Sequence, residues 1–231
     1  MYQVLEQCKK GLIVSCQALE GEPLHSSFIM GRMAIAAKEG GAVGIRANSV
    51  SDIIEIKKQV SLPVIGIIKK VYGDQPVFIT PTMQEIDALA KTGAEIIATD
   101  ATNRIRPDGS DLQSFYQEVR RRYPHILLMA DVSTVDEAIF ADELGFDIVA
   151  PTLYGYTEET EGLKIDDHGY AVIKQIIKEV KNAKVIAEGN VLTPEIARSL
   201  LDMNVHAVVV GGAITRPQLI TKRFVDALQK Q

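Results

Sequence analysis

Eight short, continuously apolar runs recur along the chain, each followed by a longer stretch with helical periodicity, and no other feature narrows the accessible folds as far. The runs are Gly11–Cys16, Ala42–Arg46, Pro63–Ile68, Glu95–Thr99, Ile126–Ala130, Asp147–Ala150, Lys184–Ala187 and Ala207–Val210. They are rich in β-branched residues and are bounded by Gly, Pro or polar residues. Strands covered on both faces of a parallel sheet have this character. The stretches between them read as amphipathic helices: Ser51–Val60 gathers Ile53, Ile54 and Ile56 on one side, with Glu55, Lys57 and Lys58 elsewhere. Helix starts are explicit. Thr82-Met-Gln-Glu85 and Thr134-Val-Asp-Glu137 match capping boxes, and Thr193-Pro194 places Pro directly after an N-cap.

A strand–helix unit repeated eight times predicts an α/β fold, a (β/α)₈ TIM barrel. A doubly wound open sheet is the rival, disfavoured by the count of eight and by the absence of GxGxxG after the first run. Val77–Thr80 resembles a ninth strand and is assigned to the third βα loop. The 231 residues approach the roughly 250 typical of such a barrel, and no linker or charge shift divides them, so one domain over 1–231 is expected.

Composition excludes other classes. The net charge of −5 is scattered, which argues against nucleic acid as a partner, since that needs a basic face. Every apolar run falls far below the ~20 residues of a membrane helix, and Met1–Lys10 lacks a signal peptide's apolar core. Cys8 and Cys16 form no CxxC pair, which suits a reducing compartment. A cytoplasmic protein is therefore expected. The four histidines (25, 125, 168 and 206) show no ligand spacing, and no metal or other cofactor is expected.

Barrel active sites lie at the C-terminal ends of the strands. The residues there are Gln17, Arg46, Lys69, Asp100, Asp131, Thr152, Glu188 and Gly211. A closed barrel would bring all eight to one mouth. Polar residues are ordinary at strand ends, but Lys69 and Glu188 each end an apolar strand, and a buried charge there requires a partner. Gly189-Asn190 follows the seventh run, Gly211-Gly212 the eighth, and Arg216 precedes Pro217. Barrels often hold phosphate at this place, on backbone N–H groups and an arginine, which makes this one a phosphate-binding type. Two loops are long: Ala101–Ser110, carrying Arg104 and Arg106, and Leu153–Asp167, carrying Tyr154 and Tyr156 and suited to covering a bound ligand.

The chain resembles the N-acetylmannosamine-6-phosphate 2-epimerase family over nearly its whole length. The resemblance rests on Gly11-Leu-Ile-Val-Ser-Cys-Gln-Ala18, Glu22-Pro-Leu-His-Ser-Ser-Phe-Ile-Met30, Gly44-Ile-Arg46, Pro63-Val-Ile-Gly-Ile-Ile-Lys69, Phe78-Ile-Thr-Pro-Thr82, Ala130-Asp131, Gly155-Tyr-Thr157 and Gly211-Gly-Ala-Ile-Thr-Arg-Pro217. It implies interconversion of N-acetylmannosamine 6-phosphate and N-acetylglucosamine 6-phosphate in sialic acid breakdown, without metal or nucleotide. It further implies Lys69 and Glu188 as the catalytic pair and Gln17, Arg46 and Asp131 as sugar contacts. Arg216 with Gly189, Gly211 and Gly212 would then hold the phosphate. The chain departs from many relatives at Asn190, where they carry Arg, and at Ala150-Pro151.

Epimerisation at carbon 2 removes a proton beside the open-chain aldehyde and returns one from the opposite face. Lys69 must lose its charge to act as a base, which burial favours, whereas a nearby ionised Glu188 opposes it. Residue order alone leaves open whether the two share one proton or work from opposite faces. It also leaves open a Schiff-base aldolase using Lys69, a phosphosugar-binding protein without turnover, and a homodimer as the assembled form.

Overall fold

In the computed structural model, which describes residues 2–229, the eight runs form eight parallel strands that close on themselves in sequence order. These are β1 (Leu12–Cys16), β2 (Gly44–Asn48), β3 (Val64–Ile67), β4 (Ile96–Asp100), β5 (Leu127–Asp131), β6 (Ile148–Ala150), β7 (Lys184–Ala187) and β8 (Ala207–Val210). Pairing of Leu12, Ile13 and Val14 with Val208, Val209 and Val210 completes the ring. The TIM barrel expected from the alternation is the fold observed.

The apolar runs are continuous because both faces of each strand are buried. Residues two apart enter the barrel lumen: Ile65 and Ile67, Ile96 and Ala98, Leu127 and Met129, Ile148 and Ala150, and Ala207 and Val209 belong to one buried cluster. Their neighbours Val64, Ile97, Leu128 and Val149 pack in another, against helix residues such as Ile53, Ile56, Leu89 and Phe115. Continuing the inward series by two reaches Lys69, Asp100, Asp131, Thr152 and Gly211, and Ile186 leads to Glu188. Strand parity alone therefore turns these residues toward the barrel axis at one end.

The outer ring comprises α2 (Ser27–Glu39), α3 (Val50–Gln59), α4 (Met83–Leu89), α5 (Leu112–Arg122), α6 (Val135–Leu144), α7 (Asp167–Glu179) and α8 (Pro194–Asp202). Both predicted capping boxes form, at Thr82–Glu85 and Thr134–Glu137, and Thr193 caps α8 ahead of Pro194. Val77–Thr80 lies in the third βα loop, as expected, and meets Lys69 through a single antiparallel bridge at Ile79. A helix the sequence reading did not assign, α1 (Tyr2–Cys8), sends Leu5 and Cys8 into the lumen cluster. Two further helices close the described chain, the short α9 (Gly212–Thr215) and α10 (Pro217–Gln229). None of α10's residues is buried, and Phe224 and Leu228 are 70% and 86% exposed. No helix among the described residues is long and apolar enough to cross a membrane.

Candidate active site

A cavity of about 1050 Å³ opens at the C-terminal ends of the strands. Gln17, Lys69, Thr152, Glu188, Gly189 and Gly211 all line it, together with Gly212 and Arg216. The strand-end reading thus converges on one mouth, with three exceptions. Arg46 and Asp131, 1% and 0% exposed, lie beneath the cavity and are absent from its wall. Asp100 is likewise buried, held by Thr102 and Arg104.

Lys69 follows β3, and its backbone is fixed on both sides. Its N–H donates to Asn48 Oδ1 at 2.8 Å, while the Val77–Thr80 segment pairs with the backbone around it through Lys70 N to Phe78 O and Thr80 N to Ile68 O. The side chain enters a partly desolvated, cation-rich space. Burial, then the charges of Arg46 and Arg216, pull its pKa down to about 8, against the opposing pull of Glu188 and Asp131.

Beneath the cavity Arg46 crosses the lumen. Its Nη1 donates to Asp131 Oδ1 at 3.1 Å and Glu188 Oε2 at 2.8 Å, and its Nη2 to Asp131 Oδ2 at 2.5 Å. Thr152 Oγ1 donates to Asp131 Oδ1 at 2.6 Å. Two carboxylates around one guanidinium keep Arg46 firmly charged in spite of its burial. Glu188 goes the other way. Burial, reinforced by Asp131, raises its pKa to about 7, although Arg46 and Lys69 favour the ionised form. The charge that Glu188 needed as a partner is Arg46, whereas Lys69 acts on it from a distance. Two groups thus titrate near neutrality in one cleft, a condition that acid–base chemistry requires.

The opposite side of the mouth is built from glycine turns. Gly189 sits at φ 112°, and a β-carbon there would lie 2.8 Å from Pro151 O, so only glycine fits. Gly211 and Gly212 follow β8, and Thr215 Oγ1 ties this turn to β1 through Ser15 O at 2.9 Å. Arg216 is engaged by Glu22, from Nε at 2.8 Å and Nη2 at 3.2 Å. Gln17, 6% exposed, donates from Nε2 to Ser15 Oγ at 2.7 Å, which leaves its Oε1 buried without a partner among the described residues.

The two long loops behave differently. Arg104 pairs with Asp100, and Arg106 stacks on Phe115 and holds Pro81 O, so the 101–110 loop is stapled to the barrel and does not line the cavity. The 153–167 loop borders the mouth through Leu153 and Tyr156, which line the cavity, and the Tyr156 hydroxyl donates to Asn190 Oδ1 at 3.0 Å. That bond gives Asn190 a place in the site. Asn48 and Glu22 were not singled out from sequence. Asn48 shares the inward parity of Arg46, two residues further along β2, and that spacing is the signal that would have found it.

The family model described as "Putative N-acetylmannosamine-6-phosphate epimerase" matches residues 30–230 of the chain. A curated relative from Staphylococcus saprophyticus, described as an N-acetylmannosamine-6-phosphate 2-epimerase with the same qualifier, is 58% identical and covers 96% of this chain and 99% of its own. A relative of like description from Borrelia garinii subsp. bavariensis is 56% identical over 98% of each chain. The solved N-acetylmannosamine-6-phosphate 2-epimerase from Clostridium perfringens superposes with a TM-score of 0.91 at 52% identity, covering 96% of this chain and 95% of that one. The thiamine phosphate pyrophosphorylase from Pyrococcus furiosus, at 16% identity and a TM-score of 0.61, shares the fold. The chain belongs to the N-acetylmannosamine-6-phosphate epimerase family.

Proposed function

We propose that Lys69 and Glu188 are the acid and base with which this family member interconverts N-acetylmannosamine 6-phosphate and N-acetylglucosamine 6-phosphate at carbon 2, a step of sialic acid catabolism. One observation carries the reading. Lys69 follows β3 and Glu188 follows β7, and in a closed eight-stranded barrel these strands stand opposite each other. Two groups on opposite walls of one cleft can address opposite faces of a planar intermediate, as inversion at carbon 2 requires.

In this scheme the open-chain sugar lies between them. One group takes the carbon-2 proton, the electron pair moves onto the carbonyl at carbon 1, and the other group delivers a proton from the far face. The pair carries one proton throughout, so Glu⁻/LysH⁺ serves one direction and its tautomer the other. Arg46 lends a fixed positive potential from below, and Asp131 holds it in place. Gln17 contacts the sugar, while Gly189, Gly211, Gly212 and Arg216 form the phosphate subsite. The test is conversion in deuterated water, read by proton NMR early in the reaction. Deuterium at carbon 2 of the product, with the residual substrate unlabelled, is the expected result. Equal labelling of both from the outset would point to a single base.

We also infer that the chain forms a homodimer, because α10 leaves Phe224 and Leu228 in solvent and a second copy would cover them. Light scattering of the wild type and of Phe224→Asp tests this, with a monomeric wild type as the contrary result.

A further inference from the structure

An anion-binding arginine that spends its guanidinium on a carboxylate needs explaining. Glu22, in the loop between β1 and α2, accepts four hydrogen bonds. Leu19 N donates to Oε2 at 2.6 Å and Gln218 Nε2 to Oε1 at 3.3 Å, besides the two from Arg216. The carboxylate is thereby held from three directions; burial acts to raise its pKa, but the bonds from Leu19 N and Arg216 outweigh it and hold the group below the usual carboxylate range. It takes only the Nε–Nη2 edge of the guanidinium. Nη1 lies on the other side, 3.9 Å from the point where a β-carbon of Gly212 would sit. Arginine has several freely rotating bonds, and fixing them before a ligand arrives removes that entropic cost from binding. Were Glu22 a mere competitor for the phosphoryl group, it would be expected to cover the edge facing Gly212.

We propose that Glu22 is a positioning residue of the phosphate subsite, clamping Nε and Nη2 of Arg216 so that Nη1 faces the Gly211–Gly212 turn and the phosphoryl group of the substrate. The inference rests on the reading that Arg216 binds phosphate, and the experiment separates the two.

KM for the phosphosugar, kcat, and inhibition by inorganic phosphate are measured for the full chain and for Arg216→Ala, Glu22→Gln, Glu22→Asp and the Glu22→Gln/Arg216→Ala double variant, with thermal melting as the check on folding. Glu22→Gln is expected to raise KM and the phosphate inhibition constant together by about two- to fivefold, the scale of a partly exposed ion pair, with kcat falling much less. The double variant should be no worse than Arg216→Ala, since Glu22 acts through Arg216. Glu22→Asp keeps the charge but shortens the reach, and should shift both constants in the same direction. If Arg216→Ala alters neither constant, the phosphate assignment itself is wrong. If it raises both while Glu22→Gln leaves them unchanged or lowers them, Arg216 binds phosphate and the positioning role of Glu22 is overturned. Wild-type constants in a folded Glu22→Asp variant would overturn it equally, because charge without reach would then suffice.

Discussion

Arg46 Nη1 and Glu188 Oε2 meet at 2.8 Å across the barrel lumen, although 142 residues and several strands separate them. The bond fixes the orientation of Glu188, and with Asp131 it balances an arginine that is 1% exposed. Removing the cation strands both carboxylates. Arg46→Met is expected to destabilise the fold by about 3–5 kcal/mol, the usual result of breaking a buried charge cluster from one side. For a chain of this length that is a fall of roughly 6–20 °C in melting temperature, readable by calorimetry. A melting point within 2 °C or so of the wild type would show that the cluster supports little of the fold.

The pH profile follows from the two perturbed groups. In the proposed scheme the active pair carries one proton, so activity should fall below about pH 7 as Glu188 and Lys69 both become protonated, and above about pH 8 as both lose their protons. A bell in kcat/KM with its maximum between these values is expected, the same in both reaction directions. A profile flat from pH 6 to 9 would contradict the assignment.

Asp131 offers a sharper check, because its charge raises the proton affinity of Glu188 and Lys69 alike. Asp131→Asn should therefore move both limbs of the bell toward lower pH. Limbs that move apart, or upward, would show that the field beneath the cavity is not the one described.

Lys69→Ala should fold normally, since the side chain sits at the mouth and leaves the lumen packing intact. Turnover and solvent exchange at carbon 2 are expected to fall by about 10²–10⁴, the range for losing a general acid or base, with substrate affinity by calorimetry changed far less. Near wild-type exchange in the folded variant would remove Lys69 from the reaction. A borohydride-stable adduct at Lys69 in the wild type would instead support aldolase chemistry.

Gln17→Met tests binding against stability. The substitution removes a buried acceptor without a partner among the described residues and also the Nε2 bond to Ser15 Oγ, two effects of opposite sign, so the melting temperature should change little. If Oε1 awaits a polar group of the sugar, KM should rise by about five- to tenfold at the same time. An unchanged KM would make Gln17 part of the scaffold only.

What the sequence determined by itself is the barrel and the identity of its mouth. Eight apolar runs with β-branched residues can be buried on both faces only in a parallel sheet wrapped by helices, and the period of two then carries inward orientation from Ile65 and Ile67 to Lys69, and from Ile186 to Glu188. Local chemistry determined the helix starts at Thr82, Thr134 and Thr193 as well. The first helix escaped notice because Tyr2–Cys8 is too short to display a helical period, and only the open end of the barrel gives Leu5 and Cys8 somewhere to go. The tertiary structure alone decided the pairings. Inward parity brings Arg46, Asp131, Glu188 and Lys69 to one end, but it does not say that Arg46 takes both carboxylates and leaves Lys69, among the described residues, without one. That outcome depends on how far each side chain reaches across a closed lumen and on how deeply it lies from water. Glu22 and Arg216, 194 residues apart, follow no periodic rule at all: one is on a loop and the other precedes a helix, and only the closing of β8 against β1 brings them together.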